Sequence, residues 1–180
     1  VEQMDNTCII AAIPSVGDGA HKASSEPLAH MTMLYLDRAV VESNLENVLL
    51  HVQHVADTNW TSGLVVDRRG ALGSDGADVL CFDSENNKQF AEIRHQLLLN
   101  DSIQMAYNRV EQFPSWTPHL TLGYPATPAH ELEYEVSWVE FDRLAVLFDN
   151  YEGPEFRLSR QNRSDSEVTM SDTMVLGASA

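Results

Sequence analysis

Hydrophobic and polar positions alternate in some stretches of the chain and recur every three to four residues in others. Together they predict at least six strands and three helices. Thr7 to Pro14 (TCIIAAIP) is a continuous apolar run closed by a proline and reads as a buried strand. Ser15 to Pro27, rich in Gly, Ser and Ala, reads as loop, and His30 to Leu36 (HMTMLYL) as the second strand. From Arg38 to Ala56, residues Val41, Leu45, Val48, Leu49, Val52 and Val55 recur at helical spacing and predict one core-facing helix. Gly63 to Val66 and Asp78 to Phe82 are short strands. The segment between them, DRRGALGSDGA, has three glycines and predicts a turn or mobile loop. Ser84 suits the cap of a helix reaching about Leu99, with Glu85 and Asn86 in its first turn, and a shorter helix covers Ile103 to Gln112. Phe113 to Pro118 is a bulky loop, and Thr117 to Tyr124 is a strand. Val136 to Phe148 and Glu155 to Ser159 are strands joined by the turn Asn150-Tyr151-Glu152-Gly153-Pro154.

From about Ser164 the composition changes: SDSEVTMSDTMVLGASA has no base and no aromatic. Residues 1–163 are therefore expected to form one α+β domain, and residues 164–180 a flexible acidic tail or linker, ordered by docking on another protein. Val at position 1 fits a processed chain or part of a longer polypeptide.

Charge narrows the possible partners. Eleven basic against 27 acidic side chains leave a formal charge of −16, while 43% hydrophobic residues supply a core within 180 residues. Such a surface repels phosphate backbones and anionic membranes, so a long nucleic acid or a membrane is not an expected partner. A small anion gripped by a few local donors is compatible with it. The two cysteines, Cys8 and Cys81, lie in apolar runs and read as buried small hydrophobes in a reducing, cytoplasmic setting. No apolar stretch reaches the length of a membrane span, and no signal-peptide pattern opens the chain.

One local pattern occurs twice. His30-Met31-Thr32-Met33-Leu34-Tyr35 matches His119-Leu120-Thr121-Leu122-Gly123-Tyr124 as His, apolar, Thr, apolar, any residue, Tyr. On a strand, side chains alternate between faces. His30 and Thr32 therefore share one face, as do His119 and Thr121, while Met31, Met33 and Tyr35 (and Leu120, Leu122 and Tyr124) take the other. Two imidazoles suit cleavage of a phosphodiester without a metal: one takes a proton from the attacking water or hydroxyl, the other protonates the departing oxygen. The two threonine hydroxyls can donate to the non-bridging oxygens, where negative charge builds. Which histidine is base and which is acid is open at this level.

The two His-x-Thr strands, their separation and the order of elements around them resemble the 2H phosphoesterase superfamily, which includes 2′,3′-cyclic phosphodiesterases once named 2′-5′ RNA ligases. The resemblance spans about Thr7 to Ser159, including the opening strand and the closing hairpin LAVLFDNYEGPEFRLS. It implies two pseudo-symmetric lobes of antiparallel sheet backed by helices, with a central cleft. His30 and His119 match the family's catalytic positions, and Thr32 and Thr121 its phosphate-binding positions. No cofactor and no metal are implied. The substrate implied is a small cyclic nucleotide or cyclic oligonucleotide. Phage-encoded members of the superfamily are similar in size, and some cleave cyclic signals of bacterial defence systems. Two alternatives stay open: an RNA-end enzyme acting on 2′,3′-cyclic phosphates or 2′-5′ linkages, and a non-catalytic nucleotide-binding module of a larger, virion protein.

Lesser candidates complete the reading. Trp116 suits stacking on a base or packing against Phe113 and the loop prolines. Arg68 and Arg69 stand in the glycine-rich segment, where a loop could bring them over a phosphate or leave them solvated. His21 and Lys22 precede the first motif and are candidates to line the cleft. Tyr35 and Tyr124 fall on the core parity. His51 and His54, with His95 and His130 elsewhere, make no metal-ligand pattern.

Overall fold

A computed structural model describes residues 6–15, 30–73, 76–82, 88–123 and 138–159. Strands β1 (Thr7–Pro14) and β2 (Met31–Asp37) are followed by helices α1 (Arg38–Ser43) and α2 (Leu45–Thr58). Strands β3 (Ser62–Leu72) and β4 (Ala77–Phe82) precede helices α3 (Lys88–Leu98) and α4 (Asp101–Asn108). Strands β5 (His119–Gly123), β6 (Trp138–Leu147) and β7 (Glu155–Arg157) complete the described fold, with a 3-10 turn at Asp149–Tyr151 before β7.

Among the described residues the named strands pair antiparallel throughout, and the sheet runs β2-β1-β6-β3-β4-β5, with β7 also pairing with β6. The two expected lobes are halves of this one curled sheet. β3 belongs to both: Ser62 to Val65 pair with β6, and Val66 to Leu72 pair with β4.

Alternation sorts the strand residues. Cys8, Ile10 and Ala12 of β1 enter the main core, together with Leu34, Leu80, Leu120, Phe141 and Leu144. Against them pack Val48, Val52 and Val55 of α2, Phe90, Ile93 and Leu97 of α3, and Ile103 and Ala106 of α4. Phe141 meets Phe82 and Phe90 edge-on, with centroids 5.8 and 5.4 Å apart. A fully buried side chain of this size contributes about 1.5–3 kcal/mol, so this layer dominates stability. The opposite face carries Ile9, Ala11, Ile13, Ala145 and Leu147 in one cluster, and Val79 and Cys81 in another. Both cysteines are free and buried.

Four expectations need correction. The predicted helix from Arg38 to Ala56 breaks at Asn44, whose amide donates to the Val40 carbonyl at 2.8 Å and whose backbone N–H donates to Val41. An Asn that satisfies carbonyls in this way ends one helix and lets the next start at a new angle. The last helix begins earlier than predicted because Asn100 caps it, accepting from the Ile103 N–H at 3.1 Å. DRRGALGSDGA is not a loop from Asp67: β3 continues through Leu72, and the chain turns at Gly73 and Gly76, both with positive φ.

Tyr35, finally, is not on the core parity. The register jumps from Thr32 opposite Ala11 to Leu34 opposite Ile10, so Met33 is an inserted bulge residue. Met33 and Leu34 both enter the main core, and Tyr35 moves to the face of Ile9 and Leu147.

Candidate functional site

The sheet order leaves β2 and β5, the two motif strands, at opposite ends, and the curl brings these ends together. His30 bridges antiparallel to Thr121, and the Thr121 N–H donates to the His30 carbonyl at 3.3 Å. Residues directly opposed in an antiparallel pair present their side chains to the same face. The bridge is a single pair, so the two motifs meet through His30 of the first and Thr121 of the second.

The bulge also repeats. In β5, Thr121 pairs with Val79 and Gly123 with Asp78, which leaves Leu122 as the inserted residue. Each motif thus reads His, apolar, Thr, bulge, and the two halves share backbone geometry as well as residue types.

His30, Thr32 and Thr121 are 3%, 9% and 5% exposed, which withdraws them from bulk water. Among the described residues neither threonine hydroxyl has a hydrogen-bond partner, so both can donate to a ligand. His119 Nδ1 lies 2.7 Å from the Thr117 carbonyl. A carbonyl can only accept, so Nδ1 carries the proton and neutral His119 keeps its lone pair on Nε2. Burial pushes the His119 imidazole below the ordinary histidine value, and the Thr117 hydrogen bond offsets part of that shift.

A residue outside the sequence motifs joins the site. The Tyr151 ring stacks on His30, with centroids 4.7 Å apart and planes tilted by 31°. Its backbone has φ of 55°, a conformation that costs a bulky residue about 1–2 kcal/mol and persists when its surroundings impose it. Here the turn imposes it: the Tyr151 N–H donates to Phe148, and the Phe148 N–H to Glu152 at 2.8 Å. Gly153 lies so close to the Val146 carbonyl that no side chain fits. The signal legible in the sequence is Asn-Tyr-Glu-Gly-Pro, which reads as a turn and assigns its ring no purpose.

Trp116 and its neighbours close the free edge of β2. The Trp116 indole N–H donates to the Thr32 carbonyl at 3.1 Å, Arg94 to Met33 at 2.8 Å and the Gln112 amide to Tyr35 at 3.0 Å. Arg94 also lies over the Trp116 ring at 4.8 Å. Trp116 therefore braces the first motif from its edge, while Phe113 packs on Tyr35.

The two arginines part company. Arg68 pairs in register with Cys81, which pairs with His119, so these three side chains share a face. Arg69 pairs with Leu80, a residue of the main core, and takes the opposite face. They are thus not a joint clamp, because consecutive strand residues point apart. Lys22, His21, Tyr124, His130 and the tail lie outside the described residues. His51 Nε2 bonds the Gln96 carbonyl at 2.8 Å, and among the described residues no group of three His, Cys, Asp or Glu could hold a metal ion. No described helix is long and apolar enough to cross a membrane.

No family model matches the sequence, and no curated protein matches it. Solved structures do. TT0787 of Thermus thermophilus is similar with a TM-score of 0.59 and 15% identity, over 87% of this chain and all (100%) of that one. A crystal structure of a phosphoesterase gives 0.53 and 12%, over 86% and 96%. E. coli LigT complexed with 3′-AMP gives 0.50 and 13%, over 86% and 95%. The chain shares its fold with these three structures.

Proposed function

We propose that this chain is a 2H-type phosphodiesterase that uses His119 as general base and His30 as general acid. The observation that supports the reading is the His30–Thr121 bridge, which brings the two His-x-Thr motifs together. His119 Nε2 takes a proton from the attacking water, whose oxygen bonds to phosphorus. The bond from phosphorus to the leaving oxygen breaks, and that oxygen receives its proton from protonated His30. The Thr32 and Thr121 hydroxyls donate to the non-bridging oxygens as their charge grows. Because both proton transfers run through imidazoles, the step needs no metal.

The preferred substrate is a cyclic phosphodiester, a cyclic nucleotide or cyclic oligonucleotide signal, which suits a chain of charge −16 better than a polymer does. A role against bacterial defence signalling belongs to this reading. The likeness to LigT, solved with 3′-AMP, favours a second reading: hydrolysis at a 2′,3′-cyclic phosphate RNA end.

Product analysis after incubation with cyclic dinucleotides, cyclic trinucleotides and a cyclic-phosphate-ended oligomer, each with EDTA present, separates the two. Turnover surviving EDTA and abolished in His30→Ala and His119→Ala is expected. Full turnover by His119→Ala would overturn the assignment.

A further inference from the structure

Arg68 is the one candidate cation of the sequence that the described fold brings to the motif face. Its strand neighbour across the sheet is Cys81, and the next is His119, two strand spacings or roughly 10 Å away. Its guanidinium leans along β3 over Gly70, 3.4 Å from where a Cβ would stand there. Gly70 in turn pairs with Val79, which pairs with Thr121. The bare glycine leaves room for the guanidinium, and Val79 and Cys81 form an apolar floor between it and the second motif. Burial raises the Cys81 thiol, Arg68 opposite it pulls it partly back, and Asp67 adds to the rise. Among the described residues Arg68 has no ion-pair partner, although acids outnumber bases 27 to 11. Arg38 and Arg143, by contrast, are each held by two carboxylates.

We infer that Arg68 forms a second anion subsite, which holds a further phosphate of the same substrate beside the one at the two motifs. The inference rests on the phosphodiesterase reading and narrows it to substrates with at least two phosphates, such as a cyclic dinucleotide or an oligonucleotide end. A planar guanidinium offers two parallel donors to a phosphate, and a lysine ammonium offers a point charge.

Calorimetric binding of 3′-AMP and the dinucleotide ApAp, with one and two phosphates, tests it in wild type, Arg68→Ala and Arg68→Lys. Wild type should bind ApAp at least 10 times more tightly than 3′-AMP. Arg68→Ala should lose 10-fold or more on ApAp and less than 2-fold on 3′-AMP, with Arg68→Lys in between. Equal losses on both ligands, no loss on either, or no preference for ApAp in wild type would each overturn the subsite. Turnover by His30→Ala would instead remove the hydrolase reading and leave this binding comparison valid.

Discussion

The backbone N–H of Thr121 donates to the carbonyl of His30, and this contact joins two strands that stand at opposite ends of the sheet order. It sets the spacing of the motifs through main-chain geometry, which side-chain substitution leaves in place. Changes at the motif side chains should therefore alter chemistry without dismantling the site.

His30→Ala and His119→Ala should each lower kcat by roughly 10²–10⁴, the usual worth of general acid–base catalysis. The double variant should fall little further, because both groups act in one step. Losses that multiply would show that the histidines work independently. Steady-state kinetics on any substrate found in the product screen, with circular dichroism to confirm folding, measures this.

His119 links stability to pH. Its folded value lies below the ordinary histidine value because burial disfavours the charged ring. The unfolded chain thus binds the proton more readily, and stability falls as pH drops below about 6.5 toward the lower folded value. This contribution is complete above that window. Denaturant titrations of wild type and His119→Gln should differ in their pH dependence within that window and run parallel at neutral pH and above. The acid limb of the kcat/KM profile, which requires neutral His119, should likewise lie below about 6.5.

Tyr151→Phe keeps the ring over His30 and should keep most of the activity. Tyr151→Ala and Tyr151→Gly remove the ring, and both should lower kcat more than they change KM if the stack serves to hold the imidazole. The pair separates stacking from backbone strain, since glycine tolerates the positive φ and alanine does not. Tyr151→Gly should therefore melt above Tyr151→Ala while being equally impaired. Full activity in Tyr151→Ala would leave the stack without a role.

Gly153→Ala should destabilise by about 2–3 kcal/mol, because its methyl would run into the Val146 carbonyl and force the hairpin apart. Thermal melts read the loss. The displaced turn also carries Tyr151, so activity should fall at temperatures where the variant remains folded.

Trp116→Phe distinguishes a brace from a base-stacking platform. Phenylalanine can still stack but cannot donate to the Thr32 carbonyl, a bond worth about 1 kcal/mol. The variant should melt earlier with KM unchanged. A normal melt combined with a raised KM would favour direct contact with substrate.

Much of this arrangement is legible in the residue pattern, and what escapes it has particular causes. The two His-x-Thr strands and their shared faces follow from alternation, and the helical stripe of Val48, Val52 and Val55 from periodicity. Alternation misplaces Tyr35 because it counts every residue, whereas the bulge at Met33 removes one from the count. Arg68 and Arg69 read as loop because glycines suggest breaks, yet Gly70 sits paired with Val79 inside β3. Tyr151 escapes because its partner, His30, is a distant residue in the chain, and a turn motif says nothing of what its side chain will cover.

The position of β2 and β5 at the sheet ends also dictates an order of assembly. The motif strands meet across the longest route the sheet offers, so loop closure opposes their contact until the intervening strands have paired. A refolding chain should regain its helices and the hairpin of β3 and β4 before it regains a working centre. Recovered activity would then mark the last step of folding, and partly folded chains would be catalytically silent.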